Sequence, residues 1–286
     1  ALVHMGFPKE AAREAIGKLP DPTIAEAVSK LVTDQRSEMD AENMRLRRIT
    51  RTRQELKPAP FVDPAEYEAC DSVIKKYKKL DFILNTHHHA DHVDGNLELK
   101  KKYNSKILGF ELDKDRIPGI DILLKENQKH KIGKLEFKVI FVPGHTKGHV
   151  AFFFFKEKVV FTGDTLFSLG CGRVFEGTHE EMFNSLNKIK KLPPDTKIYC
   201  GHEYTKSNLN FCLKYDSKNI FLKEKEIEIQ KKLSSNQPTI PTTLGQEIKT
   251  NIFFRCNDPE IRHTLGLKDS SEAKVFSKLR DLKDSF

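Results

Sequence analysis

The run Thr86-His87-His88-His89-Ala90-Asp91-His92 constrains this chain more than any other stretch. It follows Phe82-Ile83-Leu84, and a short apolar run ending in a polar burst predicts a buried strand that delivers side chains to a site at its C-terminal edge. Four histidines and one aspartate within six residues offer imidazole nitrogen and carboxylate oxygen, the donors that hold zinc-like cations. Catalytic sites of this kind use few protein ligands and keep a position open for water. In an extended turn His87 and His89 point the same way, because side chains alternate with period two. His88 then points elsewhere, and Asp91 and His92, on the following turn, can face a second ion. A solvated polar loop would account for the cluster taken alone. It does not account for the donors downstream.

Those donors are His145 in Pro143-Gly144-His145-Thr146, Asp164 in Thr162-Gly163-Asp164-Thr165, and His202 in Cys200-Gly201-His202-Glu203. Each follows an apolar, strand-like run, over 135–142, 159–161 and 198–200, and each sits next to a glycine that allows close backbone approach. With these residues in place, an HxHxDH run followed by single His, Asp and His resembles the metallo-β-lactamase superfamily. Within it, residues 86–96, Gly163-Asp164-Thr165-Leu166-Phe167, Gly170-Cys171-Gly172-Arg173 and Gly201-His202-Glu203-Tyr204-Thr205 resemble glyoxalase II. The resemblance covers residues 61–286.

Composition sets the outer bounds. At 286 residues, 38% hydrophobic and 31% charged, the chain has a globular composition and can bury a substantial core in one or two domains. No stretch approaches the about 18 consecutive apolar residues of a membrane span. The five cysteines Cys70, Cys171, Cys200, Cys212 and Cys256 are odd in number and scattered. They predict reduced thiols and a cytoplasmic setting, with a mitochondrial one as the alternative. A formal charge of +8 favours anionic partners.

Taken in order, residues 1–35 carry helical spacing at Ala11, Ala12, Ala15 and Ile16 and again at Ile24, Ala27, Val28 and Leu31, with Asp21-Pro22 as a helix start. Three short helices around Met5-Gly6-Phe7 resemble a ubiquitin-associated domain, which implies ubiquitin as a partner. Residues 36–60 form a charged linker with Arg45, Arg47, Arg48, Arg51 and Arg53. Such a run is more often a solvated face than a nucleic-acid contact, so nucleic acid is not expected. The family's opening hairpin is not recognisable here; only Phe61-Val62-Asp63-Pro64 survives, which would leave an open sheet edge. Beyond it, Tyr67, Cys70, Val73, Ile74 and Tyr77 share a helical face. Leu97, Leu99 and Tyr103 suggest another helix, and 106–109, 135–142, 150–155 and 159–161 are strand candidates. Phe152, Phe153, Phe154 and Phe155 read as core. Helices are expected over 178–191, 208–214, 221–233 and 272–284.

Strands alternating with helices, with donors at strand ends, fit an α/β fold. The resemblance implies a four-layer αββα sandwich with a C-terminal helical domain, preceded by an atypical helical N-terminal extension. Its divisions would be 1–35, 36–60, a catalytic unit over 61–203 and a substrate-binding helical unit over 204–286. It further implies that His87, His89 and His145 hold one divalent ion, that Asp91, His92 and His202 hold the other, and that Asp164 bridges them. Zinc comes first, with iron or manganese as alternatives, because the same donors serve all three. Two close ions lower the pKa of a shared water; Asp91 can orient it, and no side-chain nucleophile is needed. The implied reaction is hydrolysis of S-(2-hydroxyacyl)glutathione, S-D-lactoylglutathione above all, to glutathione and D-lactate, the second step of methylglyoxal detoxification. Arg173, Tyr204, Arg280 and Lys283 match positions that meet glutathione, and Phe175 falls where many members carry a tyrosine. The alternatives are a ubiquitin-binding adaptor with an impaired hydrolase domain, or another hydrolase of the same fold.

Overall fold

The computed structural model describes residues 60–77 and 79–286. The ubiquitin-associated-like reading of 1–35 and the linker reading up to residue 59 lie outside the described residues. Pro60, placed in the linker from sequence, instead opens the first strand, β1 (Pro60–Val62). After it come α1 (Tyr67–Tyr77), β2 (Phe82–Leu84), α2 (Ala90–Val93), α3 (Asn96–Tyr103), β3 (Lys106–Phe110) and β4 (Ile122–Leu124). These four strands pair in sequence order, every pair parallel, and among the described residues β1 is one edge of the sheet.

A second sheet follows from β5 (Lys129–Ile132), β6 (Leu135–Phe141), β7 (Val150–Phe154) and β8 (Val159–Gly163). The short hairpin β9 (Leu166–Phe167) and β10 (Gly170–Cys171) then leads to α4 (His179–Lys190) and β11 (Lys197–Cys200). The remaining elements are α5 (Thr205–Tyr215), α6 (Ile220–Ser234), β12 (Thr242–Thr243), α7 (Leu244–Thr250), α8 (Pro259–Thr264) and α9 (Glu272–Asp284). The second sheet runs β12-β11-β8-β7-β6-β5, with β8 and β11 parallel and its other pairs antiparallel.

The layers follow from the period-two alternation of strand side chains. In β7, Val150, Phe152 and Phe154 enter the core between the two sheets, whereas Ala151 and Phe153 enter the core under the helices. The strand is therefore apolar at every position and buried at every position. Leu84 and Leu108 face the other sheet; Ile83 and Ile107, one residue earlier, face outward onto Cys70, Val73 and Ile74 of α1 and Leu99 of α3. On the far side Met182, Leu186 and Ile189 of α4 share one core with Phe211, Leu222, Val275 and Phe276 of the C-terminal helices. The result is the expected αββα sandwich with a C-terminal helical layer.

Helix ends match their caps. Thr178 accepts from the Glu181 N–H and Glu181 reaches back, a capping box that starts α4. Asp258, followed by Pro259 at the first helical position, starts α8. The helix expected from Leu97, Leu99 and Tyr103 forms as α3, with Leu97 55% exposed and Leu99 fully buried. Two residues apart on a helix means about 200° of rotation, so the pair cannot share a face. Among the described residues no helix is long and apolar enough to cross a membrane.

Candidate metal centre

The centre forms where loops from both sheets meet. Past β2, Asn85 N–H still donates to Leu108 O (2.9 Å), and its side chain donates to His92 O (3.1 Å). Thr86 O accepts from Val150 N–H at 2.9 Å, tying the loop to the opposite sheet. His145 leaves the end of β6, Asp164 the end of β8 and His202 the end of β11. Within the described residues, three overlapping groups bring one ligand atom each to within 4.8 Å of one another: His87, His89 and His145; His87, His92 and Asp164; Asp91, His92 and His202. All seven side chains singled out as metal donors are thus brought together.

The outer nitrogens of three imidazoles are already engaged. Asp63 Oδ1 accepts from Thr86 N–H (2.7 Å) and its Oδ2 from Thr86 Oγ1 (2.7 Å). The Thr86 hydroxyl proton is thereby committed, so Thr86 Oγ1 accepts from His87 Nδ1 at 3.0 Å. Asp63 Oδ2 also accepts from His92 Nδ1 at 3.1 Å, and Arg173 O accepts from His145 Nδ1 at 2.8 Å. Each bond puts a proton on Nδ1, so that in the neutral ring the Nε2 lone pair faces inward, the arrangement that prepares an imidazole for a cation. In the sequence Asp63 stands out only as part of the Phe61-Val62-Asp63-Pro64 stretch; its partners are 23 and 29 residues away.

Three of the inward atoms are left unsatisfied. His87 Nε2, His92 Nε2 and Asp164 Oδ1 are buried without a hydrogen-bond partner, although His92 Nε2 lies 3.3 Å from Asp164 Oδ1. Close approach without hydrogen-bond alignment leaves both atoms unsatisfied, beside the other donors of the cluster. Asp164 Oδ2 lies 3.2 Å from His202 Nε2 and 3.5 Å from His145 Nε2; His89 Nδ1 lies 3.0 Å from His145 Nε2. Gly201 leaves room for this: a Cβ there would overlap the Asp164 carboxylate. Buried orphan donors of this chemistry fit divalent cations.

The electrostatics agree. Burial pushes His87, His89 and His145 down, keeping them neutral. Burial opposes the charge on Asp164, but His202 and His92 outweigh it and hold the carboxyl well below the usual range. Burial likewise opposes charge on His92 and His202, yet Asp164 overcomes it, with Asp63 helping at His92 and Asp91 at His202, which rises to about 9. Without a cation, protons gather around Asp164.

Around these donors lie further supports. His149 Nε2 accepts from Asp164 N–H (3.0 Å), and its ring stacks on His87 with centroids 4.6 Å apart. His88 turns away from the centre to Asp113 (3.4 Å) and Glu176 (3.6 Å). Arg116 bridges the same two carboxylates, each at 2.6 Å.

The residues expected to meet substrate divide into two sets. Phe175, 62% exposed, sits 5.1 Å from the His145 ring, and Tyr204, 45% exposed, stacks on His202 at 5.0 Å. Arg173 is also exposed, its Nε 3.5 Å from Asp284. From α9, Lys283 reaches Ser207 Oγ at 3.1 Å. Arg280, one turn earlier, is only 2% exposed; it donates to Cys171 O at 2.8 Å and Asp284 Oδ1 at 2.9 Å.

Comparison with known proteins agrees in both halves. Residues 75–202 match the metallo-beta-lactamase superfamily model, and residues 203–286 match that of the hydroxyacylglutathione hydrolase C-terminus. The chain is 50% identical over 229 residues to the hydroxyacylglutathione hydrolase of Pelagibacter ubique, covering 80% of this chain and 90% of that protein. It is 46% identical over 227 residues to the enzyme of the same name from Chelativorans sp., covering 79% and 89%. Among solved structures, BLEG-1 B3 metallo-beta-lactamase superposes with a TM-score of 0.52 at 25% identity, over 68% of this chain and 88% of that one. Residues 1–74 lie outside both family matches, and the ubiquitin partner expected from 1–35 is without support. The chain therefore belongs to the hydroxyacylglutathione hydrolases of the metallo-beta-lactamase superfamily.

Proposed function

We propose that the chain hydrolyses the thioester bond of S-(2-hydroxyacyl)glutathione, S-D-lactoylglutathione first among them, releasing glutathione and a 2-hydroxy acid. The observation that carries this reading is the Asp164 carboxylate, whose two oxygens face different histidines: Oδ1 His92, and Oδ2 His145 and His202. His87, His89 and His145 would hold one divalent ion and Asp91, His92 and His202 the other, with Asp164 shared and zinc the first candidate. Bound divalent ions supply water activation near neutral pH and polarisation of the thioester carbonyl.

The chain's own residues do the rest. Asp91 is half exposed at the edge of the cluster, its Oδ2 3.3 Å from His202 Nε2, where it can accept a proton from the attacking water. Phe175 and Tyr204 frame the mouth and exclude solvent around the acyl group. Arg173 and Lys283 offer cations to the glutathione carboxylates. Arg280 steadies the turn that carries Arg173, since it holds Cys171 O from beneath. All five cysteines are free and buried, which suits a reducing cytoplasm, with the mitochondrion as the alternative. The test is hydrolysis of S-D-lactoylglutathione by metal-loaded protein, with His89→Ala and Asp164→Ala as controls. No hydrolysis by fully loaded, folded wild type would overturn the proposal.

A further inference from the structure

Helix α4 covers the outer face of the six-stranded sheet over part of its width. Beside its C-terminal end lies a cleft of about 740 Å³, within the range of about 300–1,000 Å³ that small-molecule sites occupy. Its floor is apolar, from Ile140, Phe153 and Phe155. Its rim is cationic, from Lys129, Lys138 and Lys191, joined by Lys188. One carboxylate, Glu126, lines the cleft, and Lys188 already binds it at 2.8 Å.

The strand register makes this rim unusual. Lys129 and Lys138 are direct partners in the β5–β6 pair, so their side chains leave the same face side by side. Like charges directly opposite destabilise a sheet, and among the described residues no ion pair relieves either one. The neighbouring carboxylate Glu136 is taken by Lys156 at 3.1 Å. In the next register Lys138 faces Phe153, and the Lys129 ammonium lies 5.9 Å from the Phe155 ring centre. Two facing cations thus stand at the edge of an aromatic floor.

We propose that this cleft binds an amphiphilic organic carboxylate, with its head between Lys129 and Lys138 and its apolar body over Ile140, Phe153 and Phe155. The head removes the repulsion between the paired lysines, and the body withdraws the floor from water. A small anion meets only the first need and a neutral hydrocarbon only the second. The cleft shares no lining residue with the metal centre, so this inference and the hydrolase reading stand or fall separately.

The test is calorimetric titration of the metal-loaded full chain with dodecanoate below its micelle concentration, alongside ¹⁵N–¹H spectra. Saturable one-to-one binding is expected, weakening as salt rises, with shifts confined to β5, β6, β7 and the end of α4. Lys138→Glu should weaken it about tenfold or more while leaving thioester hydrolysis unchanged. That substitution turns a like-charged strand pair into an opposite one, so its melting temperature should hold or rise, and lost binding cannot be laid to unfolding. Acetate and dodecyltrimethylammonium should both bind at least about tenfold more weakly, each lacking one of the two needs. The proposal is overturned by absence of saturable binding, by equal binding in Lys138→Glu, or by association with anionic phospholipid vesicles but not with monomeric dodecanoate.

Discussion

Asp63→Asn should damage the metal centre while sparing the fold. Asp63 is fully buried at φ 49°, a left-handed conformation that Asn adopts as readily as Asp. The amide oxygen can keep the bond from Thr86 N–H, which puts the NH₂ group where Oδ2 now accepts from Thr86 Oγ1 and His92 Nδ1. Two donors then meet where an acceptor stood. His92 Nδ1 must become the acceptor, moving its proton to Nε2. Thr86 Oγ1 must also accept, so its own proton turns to His87 Nδ1, and the His87 proton moves to Nε2 as well. In the neutral rings that a cation requires, one substitution thereby puts protons on the two inward nitrogens.

Loss of such an outer partner weakens metal affinity by about 10–100-fold, equivalent to about 1.4–2.8 kcal/mol. Asp63→Ala is different: it leaves buried donors without any charged acceptor and should cost about 3–5 kcal/mol of stability. Competition against a chelator gives the affinities, ¹⁵N spectra of the imidazoles give the tautomers, and thermal melts of metal-free protein give the fold. Wild-type affinity with unchanged His87 and His92 tautomers in Asp63→Asn would refute the relay.

Three further outcomes follow from the same geometry. Gly201→Ala places a methyl against the Asp164 carboxylate and 2.9 Å from His92 Cε1; it should cost about 1–3 kcal/mol from overpacking and abolish metal binding and hydrolysis together, read by metal analysis and a thioester assay. Asp71 is held down to about 2: burial opposes its charge, but Lys102, Lys75 and the Tyr103 hydroxyl outweigh it. A depressed carboxyl stabilises the fold above its ordinary pKa of about 3.9 and loses that as pH falls through its folded value, so up to about 2 kcal/mol should disappear across that window. Urea melts should show this acid limb flattened in Asp71→Asn. Lys283→Ala should raise KM for a glutathione thioester about tenfold with little change in kcat, while Arg280→Ala should lower the melting temperature as well; equal kinetic losses on a thioester without the peptide would remove Lys283 from substrate recognition.

The metal donors were legible because most of them are local: His87, His89, Asp91 and His92 form one run, and the others end apolar strands beside a glycine. Their supports were not. Nothing near Asp63 in the chain indicates that it accepts from His92, 29 residues away; only the parallel pairing of β1 with β2 brings the two turns together. Strands of three residues such as β4 are too short to display a period. Arg280 and Lys283 share a helical face by spacing, but the backbone turn at Cys171 that buries one and leaves the other accessible is 109 residues away. The double burial of β7 was readable as core and became explicable only once a second sheet supplied its other face.

The placement of the centre couples it to the sandwich itself. His87, His89, Asp91 and His92 hang from the parallel sheet, whereas His145, Asp164 and His202 hang from the other. The two sets meet only while the sheets stay packed through Leu84, Leu108, Phe152 and Phe161. Separating the sheets scatters the ligands, so a cation bound here binds the folded state alone. At a free metal concentration 100 times its Kd, one such ion adds about 2.7 kcal/mol to stability. In its absence the carboxylate of Asp164 recruits protons onto His92 and His202 instead, a weaker neutralisation that still leaves His87 Nε2 unpartnered. The same buried polar cluster that is costly to fold without metal is therefore the cross-link between the sheets once metal is bound.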